Sequence, residues 1–373
     1  MITLAVLLAF GTALQPAQAQ TFSTLYTFTG GTDGGLPFAS LLRDSKGNLY
    51  GTTTNFGSSG LGVVFKVNPK GIETVLHAFG YADGASPYSN LIQDTAGNLY
   101  GTTAAGGASG AGTVFKITPG KKESVLYSFT GGTDGETPMG GLVRDGSGNL
   151  YGTTETGGSG GLGNVFKLSK AGKLTVLHSF TGSDGANPYL TALLLGSKGN
   201  LYGVTQFGGA SNLGVIYRVT TKGKFKVLHQ FAGGTEDGCD PMGIPVMDKS
   251  GNLYGTTEAC GSSSYGTIWE LTAQGVETVL HNFIATDGAL PYAGVVMDGE
   301  GNLYGDTWVG GASGYGTVYM LSAAGGITLL HSFDETDGAN PIGGVILDSQ
   351  GTLFGTTSVG GAYYDGTVWS LVP

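Results

Sequence analysis

The chain has 373 residues, 12% of them charged, and a net charge of −10. That balance argues against nucleic acid or an anionic membrane surface as partner, since both need basic patches. Glycine is abundant at 71 residues, but it recurs at fixed places between apolar and aromatic runs, so packed β structure is expected rather than disorder.

The N-terminal segment reads as a secretory signal peptide. An apolar run from Met1 ends near Leu14, and Ala17-Gln18-Ala19 supplies an Ala-x-Ala cleavage pattern, which places the cut after Ala19. The segment lacks the usual early Lys or Arg. Beyond it, no apolar stretch approaches the ~20 residues of a membrane-spanning helix. The mature chain, 20–373, is therefore expected to be secreted or otherwise extracytoplasmic, without a membrane span.

One stretch organises everything that follows. Gly47-Asn48-Leu49-Tyr50-Gly51-Thr52-Thr53 returns with small changes at Gly97, Gly148, Gly199, Gly251, Gly301 and Gly351, every 50–52 residues. A period of this size marks a repeat architecture, and one closed repeat structure can use the whole chain.

In chain order, Ser23–Phe28 comes first and aligns with the fourth strand of the later units. The third unit shows the full set. Pro138–Arg144 is a first strand, and Asp145–Gly148 turns into a second, Asn149–Thr154. A Gly-rich loop, 155–163, leads to a third strand, Asn164–Leu168. Ser169–Gly172 turns into a fourth, Leu174–Phe180, and Gly182 to Pro188 opens the next unit. Short runs of β-branched and aromatic residues bounded by Gly, Asp, Asn and Pro carry these assignments. No sustained 3.6-residue period occurs after residue 20, so almost no helix is expected.

The Asp-x-x-Gly turn has a physical basis: the carboxylate accepts backbone N–H groups and glycine takes positive φ. Asp44, Asp94, Asp145, Asp248, Asp298 and Asp348 are assigned that role. Gly196 replaces the Asp in the fourth unit and should turn less firmly. The chain ends on Gly366–Leu371, which aligns with a third strand. The last unit thus lacks a fourth strand while the N-terminus has a spare one, and pairing them removes an open edge. The expected fold is all-β: a seven-bladed β-propeller of four-stranded antiparallel blades in a single domain, with the last blade closed by the N-terminal strand.

The combination Tyr127-Ser128-Phe129, Asp134-Gly135-Glu136-Thr137-Pro138, Gly148–Thr154 and Gly157-Gly158 resembles the GloVer tandem repeat of exported bacterial proteins, the choice-of-anchor group. The resemblance covers nearly all of residues 21–373. It implies export but no catalytic residues, and Leu371-Val372-Pro373 offers no anchor segment of the kind the family carries, so release as a soluble protein is expected.

Candidate sites are weighed against the repeat. The five histidines, His77, His178, His229, His281 and His331, fill one fourth-strand slot, with Tyr26 and Tyr127 in the other two units. A polar ring needed in every blade reads as structural. The Asp-Gly connections supply Asp33, Asp83, Asp134, Asp184, Asp237, Asp287 and Asp337. Such a ring could in principle ligate Ca²⁺, but a repeated turn is the preferred reading, and no metal, cofactor or catalytic residue is expected. No zinc spacing, phosphate loop or nucleophile elbow is present.

A ligand of low symmetry should bind where the repeats disagree. The residue after the Thr-Thr pair varies most: Thr54, Ala104, Glu155, Gln206, Glu258, Trp308, Ser358. In the seventh unit Tyr363 and Tyr364 interrupt a Gly/Ser-rich loop. Glu155, Gln206, Glu258, Trp308, Tyr363 and Tyr364 are therefore the candidate ligand-binding residues, for carbohydrate or for another surface protein. Binding by a monomeric module is the leading expectation. Polysaccharide cleavage by a Glu155/Glu258 acid/base pair is the enzymatic alternative, although two blades separate the carboxylates. A purely structural surface protein is the third. Cys239 and Cys260 fall on the same face of one unit and are expected to form a disulfide.

Overall fold

The computed structural model describes residues 20–373; the signal-peptide expectation falls on 1–19 and lies outside them. Seven four-stranded antiparallel sheets follow one another around a ring. Blade 3 consists of Val143–Arg144, Leu150–Thr154, Asn164–Leu168 and Leu174–Ser179, innermost strand first. Blade 7 takes three strands from the C-terminus and its outermost from Thr21–Thr27, which pairs antiparallel with Thr367–Val372. The expected closure is therefore present.

The recurring motif forms the second strand of each blade, and its residues divide the work. In blade 2, Asp94 accepts the N–H groups of Ala96 and Asn98 and the Tyr100 hydroxyl at 2.9–3.0 Å, which ties the hairpin to the strand that follows it. Burial opposes ionisation of Asp94, but these hydrogen bonds outweigh it and hold the carboxyl down to about 2. Gly101 lies opposite Phe115 in register; a Cβ there would sit 2.7 Å from the ring. The glycine is thus the space that the third-strand aromatic fills. The two threonines are buried. Thr102 donates to the Gly140 carbonyl of the next blade at 3.1 Å, and Thr103 meets Thr113 at 2.9 Å.

The turn and the tyrosine of this pattern are replaced in two units. In blade 4, where Gly196 replaces the Asp, a short 3-10 turn, Ser197–Gly199, takes the place of the carboxylate-held hairpin. In blade 7, Phe354 stands where the others have a tyrosine or its equivalent, and Arg43 of blade 1 reaches Asp348 at 3.4 Å and lies 5.2 Å over the Phe354 ring.

The core sits between blades. Each of seven buried clusters draws residues from two neighbours: Val114 and Phe129 pack with Leu150 and Phe166, while Phe28 and Val368 pack with Leu49 and Phe65 across the closing junction. A lone blade would leave such a face in water, so the units are stable only together.

The innermost strands are shorter than expected in six blades, whereas in blade 5 the strand runs from Gly238 to Met247. Blade 3 keeps only Val143–Arg144 in the ladder, and Glu136 pairs separately with Thr156. The residues between them bend inward at the proline. Just before it stands a non-glycine residue of positive φ in every unit: Leu36, Ser86, Thr137, Asn187, Asp240, Leu290 and Asn340. Each donates its N–H to the long loop of the preceding blade, to Asp365, Leu61, Ala111, Leu162, Leu213, Tyr265 and Tyr315 respectively, at 2.8–3.1 Å. In six units its carbonyl accepts from the residue after the Thr-Thr pair, as Thr137 does from Glu155. That inter-blade stitch holds an otherwise unfavourable conformation. It also fixes the position singled out above as the most variable.

Candidate binding site at the axial channel

The stitch sets the residue after the proline close in the chain to the bond that holds the residue after the Thr-Thr pair, and five of the residues after the proline, Phe38, Tyr88, Met139, Tyr292 and Ile342, reach the ring axis. The innermost strands enclose a cavity of about 460 Å³ on that axis, with Leu42, Ile92, Leu194, Val246, Val296 and Ile346 on its wall and Phe38, Tyr88, Met139 and Tyr292 also lining it.

Four of the residues chosen from the sequence connect to tyrosines that follow the proline. The Tyr292 hydroxyl donates to Glu258 Oε1 at 2.8 Å, and Gln206 Nε2 donates to Glu258 Oε2 at 3.4 Å. Trp308 meets the Tyr292 ring edge-on with centroids 5.3 Å apart, and Phe38 meets Tyr88 the same way at 5.4 Å. Glu155 belongs with them electrostatically. The Tyr189 phenol is pushed up by burial and then by Tyr88, Glu155 and Glu258, so Tyr189 feels both glutamates despite the blades between them. Burial also raises Glu155.

Tyr363 and Tyr364 are placed differently. They lie in the long loop of blade 7 at 58% and 64% exposure, and Tyr364 takes a positive φ. The structure does not bring them into the hydrogen-bonded and ring-stacked group around Glu258.

Sequence reasoning missed Asp240. It lies between Cys239, which pairs with Ala259, and Pro241, which pairs with Thr257, and so faces Glu258 across the ladder. Burial first, and then Glu258, push its carboxyl up to about 6. Cys239 and Cys260 form a disulfide with Cα atoms 5.4 Å apart, bracketing this pair. Also missed were Phe38, Tyr88, Tyr189 and Tyr292. Their signal was available: the position after the invariant Pro is aromatic in four units and aliphatic in the rest.

The His and Asp slots, assigned separately as structural, are in fact partners. Nε2 to Oδ2 distances are 2.8 Å for His77–Asp83, 2.9 Å for His178–Asp184, 3.0 Å for His281–Asp287 and 2.8 Å for His331–Asp337. The Tyr26 and Tyr127 hydroxyls donate to Asp33 and Asp134 at 2.8 and 2.9 Å. His229 and Asp237 stand 3.4 Å apart.

Fold and repeat together define a seven-bladed repeat β-propeller with an axial rim of aromatic, carboxylate and amide groups. The chain belongs to the Gloeobacter/Verrucomicrobia repeat family, whose model matches residues 9–164 and 142–369. None of the curated proteins matches the sequence. Among solved structures it is similar to streptogramin B lyase, at 15% identity and a TM-score of 0.63, covering 95% of this chain and 97% of that one. It is also similar to the extracellular domain of a protein described as a hybrid two-component system, BT3049 of B. thetaiotaomicron, at 14% identity and a TM-score of 0.59, covering 95% of this chain but 41% of that one. A protein described as a 6-phosphogluconolactonase from Bacteroides uniformis matches at 18% identity and a TM-score of 0.55, covering 85% and 88% of the two chains. At these identities the likeness is one of fold.

Proposed function

We propose that the protein is an extracytoplasmic binding module that holds a carbohydrate at the mouth of the axial channel. The observation that carries this reading is the convergence of Trp308, Tyr292, Tyr189 and Tyr88 with Glu155, Gln206 and Glu258 at one rim. Aromatic faces stack on the C–H face of a sugar ring, and carboxylates and amides bond its hydroxyls. The signal-peptide pattern supports an extracytoplasmic setting.

A glycan array with the mature chain identifies ligands, and calorimetry ranks variants against them. Trp308→Ala and Glu258→Gln should each weaken binding ~10–100-fold, equivalent to roughly 1.4–2.8 kcal/mol. An array without hits, or hits indifferent to both substitutions, refutes the proposal.

One observation favours cleavage as a second reading. Asp240 faces Glu258 across the ladder and is held up to about 6 by burial and that neighbour. Two neighbouring carboxyls, one of them raised by its surroundings, form the kind of pair that glycoside hydrolysis uses. Product analysis of any bound oligosaccharide separates the readings: turnover abolished by Asp240→Asn supports hydrolysis, and intact ligand after long incubation supports the module.

A further inference from the structure

The His–Asp pairs between blades are alike in four cases and different in the fifth. Nε2 to Oδ2 distances of 2.8–3.0 Å make hydrogen bonds at His77, His178, His281 and His331. At His229 the gap to Asp237 opens to 3.4 Å, and Nε2 is buried without a hydrogen-bond partner. Glu277, at the start of the outermost strand of blade 5, turns to the same gap. Its Oε1 is likewise buried and unpartnered, and ligand atoms of all three residues lie within 4.8 Å of one another.

We propose that His229, Asp237 and Glu277 form a divalent transition-metal site of the zinc class that joins blades 4 and 5. Zinc binds imidazole nitrogen and carboxylate oxygen at ~2.0–2.1 Å in tetrahedral geometry, so two of its donors stand ~3.3 Å apart. The 3.4 Å gap at His229 matches that edge, whereas the other four pairs sit at hydrogen-bond length. Two carboxylates balance the charge of a divalent ion. The His229 and Asp237 side chains keep 20% and 14% exposure, which leaves an approach for water as fourth ligand. Asp237 lies two residues before Cys239, so the disulfide anchors the segment that carries it.

At three of the other four histidines the third ligand is missing. Glu277 pairs with Leu271 in register, and the residues at the matching position elsewhere are Phe225, Ile327 and Phe22. Phe225 stacks on His178 with centroids 3.6 Å apart and Phe22 on His331 at 3.9 Å. Glu123 does approach His77 and Asp83, but there Nε2 is already hydrogen-bonded at 2.8 Å.

The test uses the mature, disulfide-intact chain dialysed against EDTA and titrated with zinc chloride by calorimetry. Cobalt(II) serves as a visible reporter of tetrahedral coordination. One ion per chain should bind, with a rise in melting temperature. Affinity should fall at least ~10-fold in Glu277→Gln and His229→Gln and stay unchanged in Glu123→Gln. Glu277→Gln keeps the side-chain shape, so an unchanged far-UV spectrum separates ligand loss from misfolding. No heat and no thermal shift overturns the proposal. So does binding that survives Glu277→Gln, or that disappears in Glu123→Gln instead.

Discussion

At the scale of single residues, the position most at odds with its surroundings is Asp306. It occupies the first Thr of the motif, where Thr52, Thr102, Thr153, Thr256 and Thr356 each donate to a carbonyl of the next blade. A carboxylate has no proton to donate there. Asp306 is 1% exposed, and neither of its oxygens makes a hydrogen bond of good geometry. Burial pushes its carboxyl up to about 7, and the nearby Gly344 and Asp306 N–H groups offset this only in part. Because the folded pKa lies above the unfolded one, the folded state holds the extra proton between about pH 4 and 7, and stability falls as pH rises through that window. Asp306→Thr restores the donor and removes the charge. It should flatten this pH dependence and raise stability by roughly 2–4 kcal/mol at pH 8. Denaturant midpoints at pH 5 and pH 8 check it: a variant that keeps the wild-type difference between the two would show that the carboxyl is not its source.

At the scale of the element, motif and connection are one device. The glycine of each Asp-Gly connection lies on the second Thr of the motif: at Gly84, with φ +142, an added Cβ would stand 2.5 Å from Thr103 Cγ2. Gly84→Ala should therefore destabilise the ring by at least ~2 kcal/mol. A thermal midpoint unchanged by that substitution would mean that the junction relaxes around the methyl group. This coupling also explains what could be read from the sequence. The strands, hairpins and blade count follow from local patterns of turn residues and apolar runs, which recur seven times and reinforce one another. The variable position after the Thr-Thr pair was legible because the repeat supplies its own baseline, and Glu155, Gln206, Glu258 and Trp308 came from it. Asp240 and the His–Asp pairing were not legible, since both depend on which residues face each other across a ladder or a blade junction. Tyr363 and Tyr364 stand out chemically in their loop, but which way a loop points is set by its packing and not by its composition.

At the scale of the whole molecule, the ring depends on one non-local strand. Thr21–Thr27 completes blade 7, and Phe22 within it packs against His331, Phe333 and Trp369. Removing residues 20–28 should leave blade 7 with an open edge and an uncovered core face, giving aggregation and loss of a single cooperative unfolding transition. A synthetic peptide of that sequence, added in trans, should restore solubility. A truncated chain that stays monomeric with one sharp transition would show the closure to be dispensable. The stitches between blades all run in one direction, from each unit back to the loop of the unit before it. As the chain emerges from its N-terminus, each new unit thus meets a socket that already exists: Ser86 finds Leu61, Thr137 finds Ala111, and so on around the ring. Leu36 alone among these stitches must wait for its partner, Asp365, as Phe28 waits for Gly366 within blade 7, because both partners lie in the seventh unit. The fold can therefore grow as a lengthening arc, unit by unit, leaving a single junction to be settled after the rest is in place.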